Sequence, residues 1–414
     1  MGETNMPQDK GLDHTLKLLH EGYHFIMNRS DKFHSRVFET HLLGEKTICM
    51  VGKEEAELFY DNTKFVRKQA SPVRIQKTLL GVDGVQGLDG AAHHHRKAMF
   101  MSLMTQEGLT QVGVLVQEEW KQEIEQQSRE KINVYQAAKR VLTKVALRWT
   151  GVPYQDDQIE KWADYLSDMF EDAGAVGLKH WQARRSRSKA ENQLKELVEA
   201  VRREDIMVRQ DSALYHIVWH RELDDELLDA QIAAVELLNL LRPIVAIAVY
   251  IDFVVLAIHD YPEEVGKLES EEAMEYFIQE VRRFYPFFPV APARVKTNFD
   301  WKGYTFEEGT LTLLDLYGTN HDPAVWSNPK TFQPERFQSW KGSPFDFIPQ
   351  GGGEFNIGHR CAGEWLTIEV LKVTLDFFVH HLSFAFPEQN LAYEMNDIPA
   401  LPKSNVIISD VKFK

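Results

Sequence analysis

The chain has 414 residues and a formal net charge of −15, and 43% of its residues are hydrophobic and 26% are charged. The negative charge argues against a nucleic-acid partner and against binding to an anionic membrane surface. The two cysteines, Cys49 and Cys361, make no disulfide framework, which favours a reducing, cytoplasmic location. No repeat or linker divides the sequence, so we expect a single domain over residues 1–414.

The N-terminal sequence from Met1 to Pro7 has neither a basic region nor an apolar segment, so we predict no secretory signal. The most apolar stretch, residues 244–258, is shorter than a membrane span and contains Asp252. The sequence therefore predicts no membrane anchor.

The first predicted elements are a helix and a β-hairpin. Residues 13–28 have the periodicity of an amphipathic helix, and alternating residues at 37–40 and 47–51 flank a turn that is typical of a hairpin. The predicted buried face of the helix comprises Leu16, Leu19, Tyr23 and Ile26.

A very long apolar helix is predicted from Asp224 to Asp260. Pro243 lies in its interior, where proline removes a backbone donor, so we expect a kink at residues 239–243. Helical periodicity dominates the chain before this helix, and short strands are predicted after residue 295. The pattern predicts a mainly α fold with small peripheral sheets.

A glycine-rich loop leads to Cys361. Residues 350–353 (Gln-Gly-Gly-Gly) and 358–361 (Gly-His-Arg-Cys) precede an apolar helix that is predicted over 363–381. Glycine allows the backbone to bend sharply beside a bulky group, and the positive end of the helix favours a thiolate. Such a cysteine suits an axial haem ligand, and the alternative is a core cysteine behind a mobile loop.

Arg242 lies in the long helix among apolar neighbours. A buried guanidinium is costly unless an anion meets it, and its planar fork fits a carboxylate. Two interpretations stay open: Arg242 binds the carboxylate of a substrate, or it forms an internal ion pair, for instance with Glu236 or with a haem propionate.

Three separated motifs resemble those of the haem-thiolate cytochromes P450. Glu280 and Arg283 stand three residues apart, Arg336 follows in Pro-Glu-Arg-Phe, and Cys361 comes next in the expected order. In that family the glutamate and the two arginines form a charge triad that supports the cysteine loop. The resemblance implies one domain in which haem b binds Cys361 and lies between the long kinked helix and the helix after the cysteine.

The sequence at 358–361 and the pair Arg242-Pro243 resemble, more specifically, the bacterial fatty-acid peroxygenase branch. The usual acid–threonine pair is missing from the long helix. The resemblance implies that hydrogen peroxide is the co-substrate and that no reductase is required. It also implies that long-chain fatty acids are hydroxylated at the α or β carbon, with Arg242 binding the carboxylate that serves as the acid–base group.

A second substrate-binding segment, residues 84–90, resembles the loop above the haem in this branch. Gln86 occupies a position that is glutamine or histidine there, and glutamine is associated with hydroxylation rather than decarboxylation to an alkene. The alternative is that Gln86 only satisfies nearby backbone groups. Leu80 stands where an aromatic residue often occurs, and Pro243 completes the expected substrate contacts.

The resemblance assigns the haem propionates to Arg67, His93 and Lys97. Helical spacing places His93 and Lys97 on one face. Adjacent histidines at 93–95 also suggest a metal site, but consecutive helical residues diverge and no further ligand set accompanies them.

Two other functions remain possible from the sequence. One is a reductase-dependent P450 monooxygenase with an unusual distal helix. The other is a non-catalytic sensor or carrier that binds haem and fatty acid.

Overall fold

The structure, a computed structural model, describes residues 6–127, 131–174 and 177–414. The prediction that no secretory signal is present rests mainly on residues 1–5, which lie outside this described part. Sixteen α-helices are seen in the described residues. They are α1 (Thr15–Glu21), α2 (Phe25–Phe33), α3 (Lys53–Phe59), α4 (Val73–Ile75), α5 (Gly90–Met101), α6 (Gln106–Gln126), α7 (Val134–Thr150), α8 (Ile159–Glu171), α9 (Leu178–Arg202), α10 (Ala213–Val218), α11 (Ala230–Asp260), α12 (Pro262–Val265), α13 (Glu271–Phe284), α14 (Leu316–Asn320), α15 (Arg336–Ser339) and α16 (Glu364–Asp376).

The described strands form three small sheets at the periphery. The largest has the order β1-β2-β8-β5-β3, in which only β2 and β8 are parallel, and the others have the orders β4-β10-β9 and β6-β7. The strands are β1 (Val37–Leu42), β2 (Glu45–Met50), β3 (Phe65–Val66), β4 (Lys131–Asn133), β5 (Val290–Val295), β6 (Phe299–Trp301), β7 (Tyr304–Phe306), β8 (Leu311–Asp315), β9 (Leu382–Ala385) and β10 (Ile407–Phe413). The predicted mainly α architecture is confirmed, and so is the hairpin β1–β2.

Two predicted helices differ from the observed ones. The N-terminal helix is divided by a 3₁₀ turn at Gly22–His24, and Leu16 and Leu19 on its first part are exposed, whereas Tyr23 and Ile26 are buried. The long helix begins at Ala230 instead of Asp224, because the Asp229 carboxylate accepts the backbone N–H groups of residues 231 and 232 and caps the first turn.

Helix α11 forms the centre of the main hydrophobic core. It packs against α7, α8, α9, α13 and α16. With 31 residues, α11 is long and apolar enough to cross a membrane, although the sequence suggested an apolar stretch shorter than a membrane span. In the structure, 89% of its most apolar 18-residue window is buried inside the protein. The helix continues on both sides of Pro243, whose missing N–H leaves the carbonyl four residues earlier without its helical donor. The kink stays a prediction.

A buried charge triad joins α13 to the segment before the cysteine loop. The carboxylate of Glu280 contacts Arg283 Nε at 2.7 Å and Arg336 Nε at 3.1 Å. The side chains of Glu280 and Arg283 are fully buried. Both guanidinium groups also donate to backbone carbonyls between residues 320 and 331. The three charges that the sequence suggested therefore lie together and fix the irregular chain that leads to Cys361.

The buried residue Asp252 in α11 makes the stability of the folded protein depend on pH. Its buried carboxyl group accepts a hydrogen bond from Val406 N at 2.9 Å, and burial raises the pKa of Asp252 from 3.8 to about 7. Between these values the folded chain keeps a proton that the unfolded chain has lost, so stability falls as the pH rises from about 4 to about 7. Asp252→Asn keeps the acceptor and removes the charge.

We therefore expect Asp252→Asn to raise the melting temperature at about pH 8 more than at about pH 5. Asp315, whose pKa burial also raises to about 7, remains in this variant, so the pH dependence becomes shallower without disappearing. Equal changes in melting temperature at both pH values would contradict the prediction.

Candidate active site

The loop before α16 presents Cys361 to an internal cavity. Gly351 and Gly353 have φ values of +90° and +83°, which favour glycine. A Cβ atom on Gly352 would lie 2.5 Å from the carbonyl oxygen of Pro344, so this close approach also requires glycine. The N–H of Cys361 donates to the carbonyl of Gln350 at 3.3 Å, which closes the loop immediately before the helix.

The surroundings of the thiol do not favour a thiolate by themselves. Burial raises the pKa of Cys361, and Glu364 acts in the same direction, whereas a backbone hydrogen bond from Gly363 and the cations Lys97 and Arg282 oppose it. The sequence predicts that the helix end favours a thiolate, but desolvation of the buried sulfur opposes this effect and raises the pKa of Cys361. A metal ion bound to the sulfur would deprotonate it directly.

One cavity of about 360 Å³ brings the predicted site residues together. Its walls include the long helix α11, the segment before α5, and the cysteine loop with the start of α16. All eight candidates line it: Arg67, Leu80, Gln86, His93, Lys97, Arg242, Pro243 and Cys361. Residues with distant sequence positions therefore share one chamber.

Arg242 is 6% exposed, and its side chain makes no ion pair or hydrogen bond within the described part of the chain. Burial lowers the pKa of Arg242 to about 9; the nearby cation Arg187 acts in the same direction, and Cys361 opposes both. The internal ion pair with Glu236 is not formed, because that carboxylate accepts from Arg96 Nη1 at 2.7 Å and from backbone and amide donors. Burying a guanidinium without an anionic partner is costly, so this cavity favours the binding of an anion beside Arg242.

Gln86 lies in a 3₁₀ turn at Val85–Gly87, and its Oε1 accepts from Asn239 Nδ2 at 3.2 Å. The sequence reasoning missed Asn239, although it precedes Arg242 by three residues and so lies on the same helix face. Its buried Oδ1 has no partner among the described residues. Leu80 ends a π-helical turn, and Gly81 follows it with a φ of +89°.

Three buried nitrogen-bearing side chains stand near the cysteine loop. His93 stacks on His359 with 3.8 Å between ring centroids, and burial lowers the pKa of His93 to about 3. Lys97 donates to the carbonyl of Arg360, and burial lowers the pKa of Lys97 to about 8. The guanidinium of Arg67 lies 4.4 Å from the ring centroid of Phe59. In the described residues no carboxylate forms an ion pair with any of the three.

These residues fit a haem group. A thiol and three buried donors that lack anionic partners face the same cavity, as an iron ligand and the contacts of two propionates require. The alternative of a histidine metal site gains no support, since the described residues contain no group of three or more His, Cys, Asp or Glu that could hold a metal ion.

Other cavity residues gave no signal in the sequence. Tyr60, Phe287 and Phe288 lie far from every motif, and only the folded chain brings them to the cavity. Phe170 also lines the cavity. These side chains are aromatic or apolar, like most core residues, so neither composition nor spacing distinguishes them.

Comparisons with known proteins agree with this geometry. The sequence profile of the family described as "Cytochrome P450" matches residues 265–407. A solved structure of cytochrome P450EX alpha (CYP152N1) with myristic acid is 47% identical, and the alignment covers 99% of each chain with a TM-score of 0.96. A variant of cytochrome P450 OleT in complex with arachidonic acid is 36% identical over 99% of each chain, with a TM-score of 0.95.

A more distant similarity to a plant protein covers about a third of this chain. Cytochrome P450 71D180 of Origanum vulgare is 28% identical over 153 residues, which make up 35% of this chain. The match spans only 30% of the length of that plant protein.

Proposed function

We propose that this chain, which belongs to the cytochrome P450 family, uses hydrogen peroxide to hydroxylate long-chain fatty acids at the α or β carbon. The observation that carries the proposal is Arg242, a buried guanidinium that has no anionic partner among the described residues and that lines the same cavity as Cys361. The two solved structures similar over the whole chain contain myristic or arachidonic acid. A fatty-acid carboxylate supplies the anion that this cavity lacks.

Cys361 would hold haem b through its sulfur, and Arg67, His93 and Lys97 would contact the propionates. When bound, haem supplies the iron chemistry that activates peroxide. The chain itself provides the thiol at the end of the cysteine loop, and α5 carries two of the three donors, His93 and Lys97. Because His93 is held neutral and stacked on His359, it serves as a hydrogen-bond donor, while Arg67 and Lys97 carry the positive charge.

The carboxylate of the substrate, held by Arg242, would act as the proton carrier. The guanidinium fork places both carboxylate oxygens on one side of the cavity and fixes the α and β carbons next to them. The carboxylate takes a proton from one oxygen of hydrogen peroxide and returns it to the other. The amide of Gln86 does not titrate near pH 7, so it positions the head group and leaves proton transfer to the substrate.

Such an enzyme needs no reductase, since hydrogen peroxide brings both the oxygen atom and the oxidising equivalents. We also propose one domain over residues 1–414, supported by the central core around α11. We also propose a cytoplasmic location and no nucleic-acid partner, which the net charge of −15 and the small number of cysteines support.

Peroxide and myristic acid, added to the haem-loaded protein without any reductase, provide the test. We expect α- or β-hydroxymyristic acid by mass spectrometry, and no hydroxylation of tetradecanol, which has the same chain without the carboxylate. Turnover that requires an electron donor would identify a conventional monooxygenase instead. Fatty-acid binding without any oxidised product would identify a carrier or sensor.

Gln86→His is expected to increase the share of terminal alkene among the products. Histidine titrates near neutral pH, so it adds a proton donor and acceptor beside the carboxylate that glutamine cannot provide. Product ratios from gas chromatography measure the effect. Gln86→Met is the matched control, since it also breaks the contact with Asn239 but exchanges no proton, and an equal rise in alkene for both variants would contradict the prediction.

A further inference from the structure

The side chain of Gln350 lies beside the sulfur atom of Cys361. We infer that Gln350 is a positioning residue whose amide donates a hydrogen bond to this sulfur and so tunes the haem ligand. Its Nε2 atom is 3.9 Å from Cys361 Sγ and 3.0 Å from Thr367 Oγ1. The inference rests on the proposed binding of haem by Cys361, and it concerns how the protein controls that ligand.

The orientation of the amide follows from its other partners. Gln350 Oε1 accepts from Arg282 Nη2 at 3.0 Å. A guanidinium has no acceptor, so the amide oxygen must face Arg282 and the NH₂ group must face the sulfur. The hydroxyl of Thr367 donates to the Gly363 carbonyl at 3.0 Å, so its oxygen accepts one amide hydrogen. The second hydrogen remains on the side of Cys361.

Arg282 is itself held rigidly. It is 1% exposed, and its Nη2 contacts Glu364 Oε1 at 2.6 Å. The other oxygen of Glu364 accepts from Arg360 Nε at 2.5 Å. Two guanidinium groups thus share one carboxylate. This buried framework connects α13 to α16 and holds Gln350 beside the sulfur of Cys361.

A hydrogen bond to a thiolate withdraws electron density from the sulfur and weakens its donation to the metal. Gln350 therefore makes the ferric iron easier to reduce than an unbonded thiolate would. Loss of the amide should shift the reduction potential to a more negative value and strengthen the iron–sulfur bond.

Gln350→Met tests this inference, because methionine has a similar length but no N–H group. In the haem-loaded protein without substrate or peroxide, we expect a more negative reduction potential and a higher Fe–S stretching frequency by resonance Raman spectroscopy. Thr367→Val is the matched control, since it removes the other partner of the same NH₂ group without touching the sulfur. Its potential should stay at the wild-type value.

A wild-type potential and Fe–S frequency in Gln350→Met would overturn the inference, as would an equal shift in Thr367→Val. If Gln350→Met does not fold, Gln350→Asn keeps the amide on a shorter stem that cannot reach the sulfur, and the same shift is expected. Neither measurement involves turnover. Failure of the proposed peroxide chemistry would therefore leave a shifted potential intact, and the two outcomes are distinguishable.

Discussion

Arg242→Leu is expected to lower kcat/KM for myristic acid with peroxide by roughly 100-fold or more. The variant loses two charge-assisted hydrogen bonds to the carboxylate, together worth about 3 kcal/mol or more, and each 1.4 kcal/mol corresponds to about tenfold in rate. Since the carboxylate also carries the proton, its displacement reduces kcat as well as substrate affinity. Steady-state kinetics at several substrate concentrations separate the two effects.

The same variant should be more stable than the wild-type protein in the absence of fatty acid. Arg242 is 6% exposed without an anionic partner in the described chain, so leucine removes a desolvated charge from an apolar helix. Higher stability combined with lower activity distinguishes a binding role from a structural one. A lower melting temperature would indicate that Arg242 supports the fold.

Arg187→Leu provides the matched control for this comparison. Arg187 is also buried but donates to the Leu79 carbonyl at 2.9 Å and to Glu191 at 2.7 Å. Its replacement leaves these acceptors without a donor, so we expect a lower melting temperature. If the two substitutions change stability in opposite directions, Arg187 supports the fold, whereas Arg242 is a buried cation available to bind the anion of a ligand.

The contrast between these arginines shows what the sequence could predict. The motif around Cys361 and the pair Arg242-Pro243 identified the cavity because their chemistry is unusual: a lone cysteine after glycines, and a cation in an apolar helix. Sequence could not decide whether Arg242 was paired internally. That depended on Arg96, which lies about 140 positions before Glu236 and occupies its carboxylate at 2.7 Å.

Local signals failed where tertiary contacts decided the outcome. The N-terminal helix has helical periodicity, yet Leu16 is 82% exposed because Gly22 interrupts the helix and only the second part reaches the core. A similar limit applies to Cys361, because the helix end that the sequence revealed favours a thiolate whereas burial of the sulfur raises its pKa. Burial is a property of the whole chain, and periodicity describes only one segment of it.

Glu280→Gln is expected to destabilise the protein by about 3–5 kcal/mol, because removal of one member of a buried ion pair leaves its partners uncompensated. Here two guanidinium groups depend on one carboxylate: Arg283 lies 2.7 Å and Arg336 lies 3.1 Å from Glu280 Oε2. Glutamine has nearly the same shape, so the loss reports charge rather than volume. Denaturant-induced unfolding of the haem-loaded protein measures it.

The loss of the charge triad should also disturb the loop that contains Cys361. The triad binds carbonyls of residues 320–331 and thereby fixes the segment that continues into the cysteine loop. Glu280→Gln is therefore expected to lose haem faster than the wild-type protein when an apoprotein acceptor is present. Lys267→Gln, which breaks a half-exposed contact with Glu264 at 2.8 Å, is the control and should change stability by less than about 1 kcal/mol. Equal haem loss in both variants would mean that the triad does not support the cysteine loop.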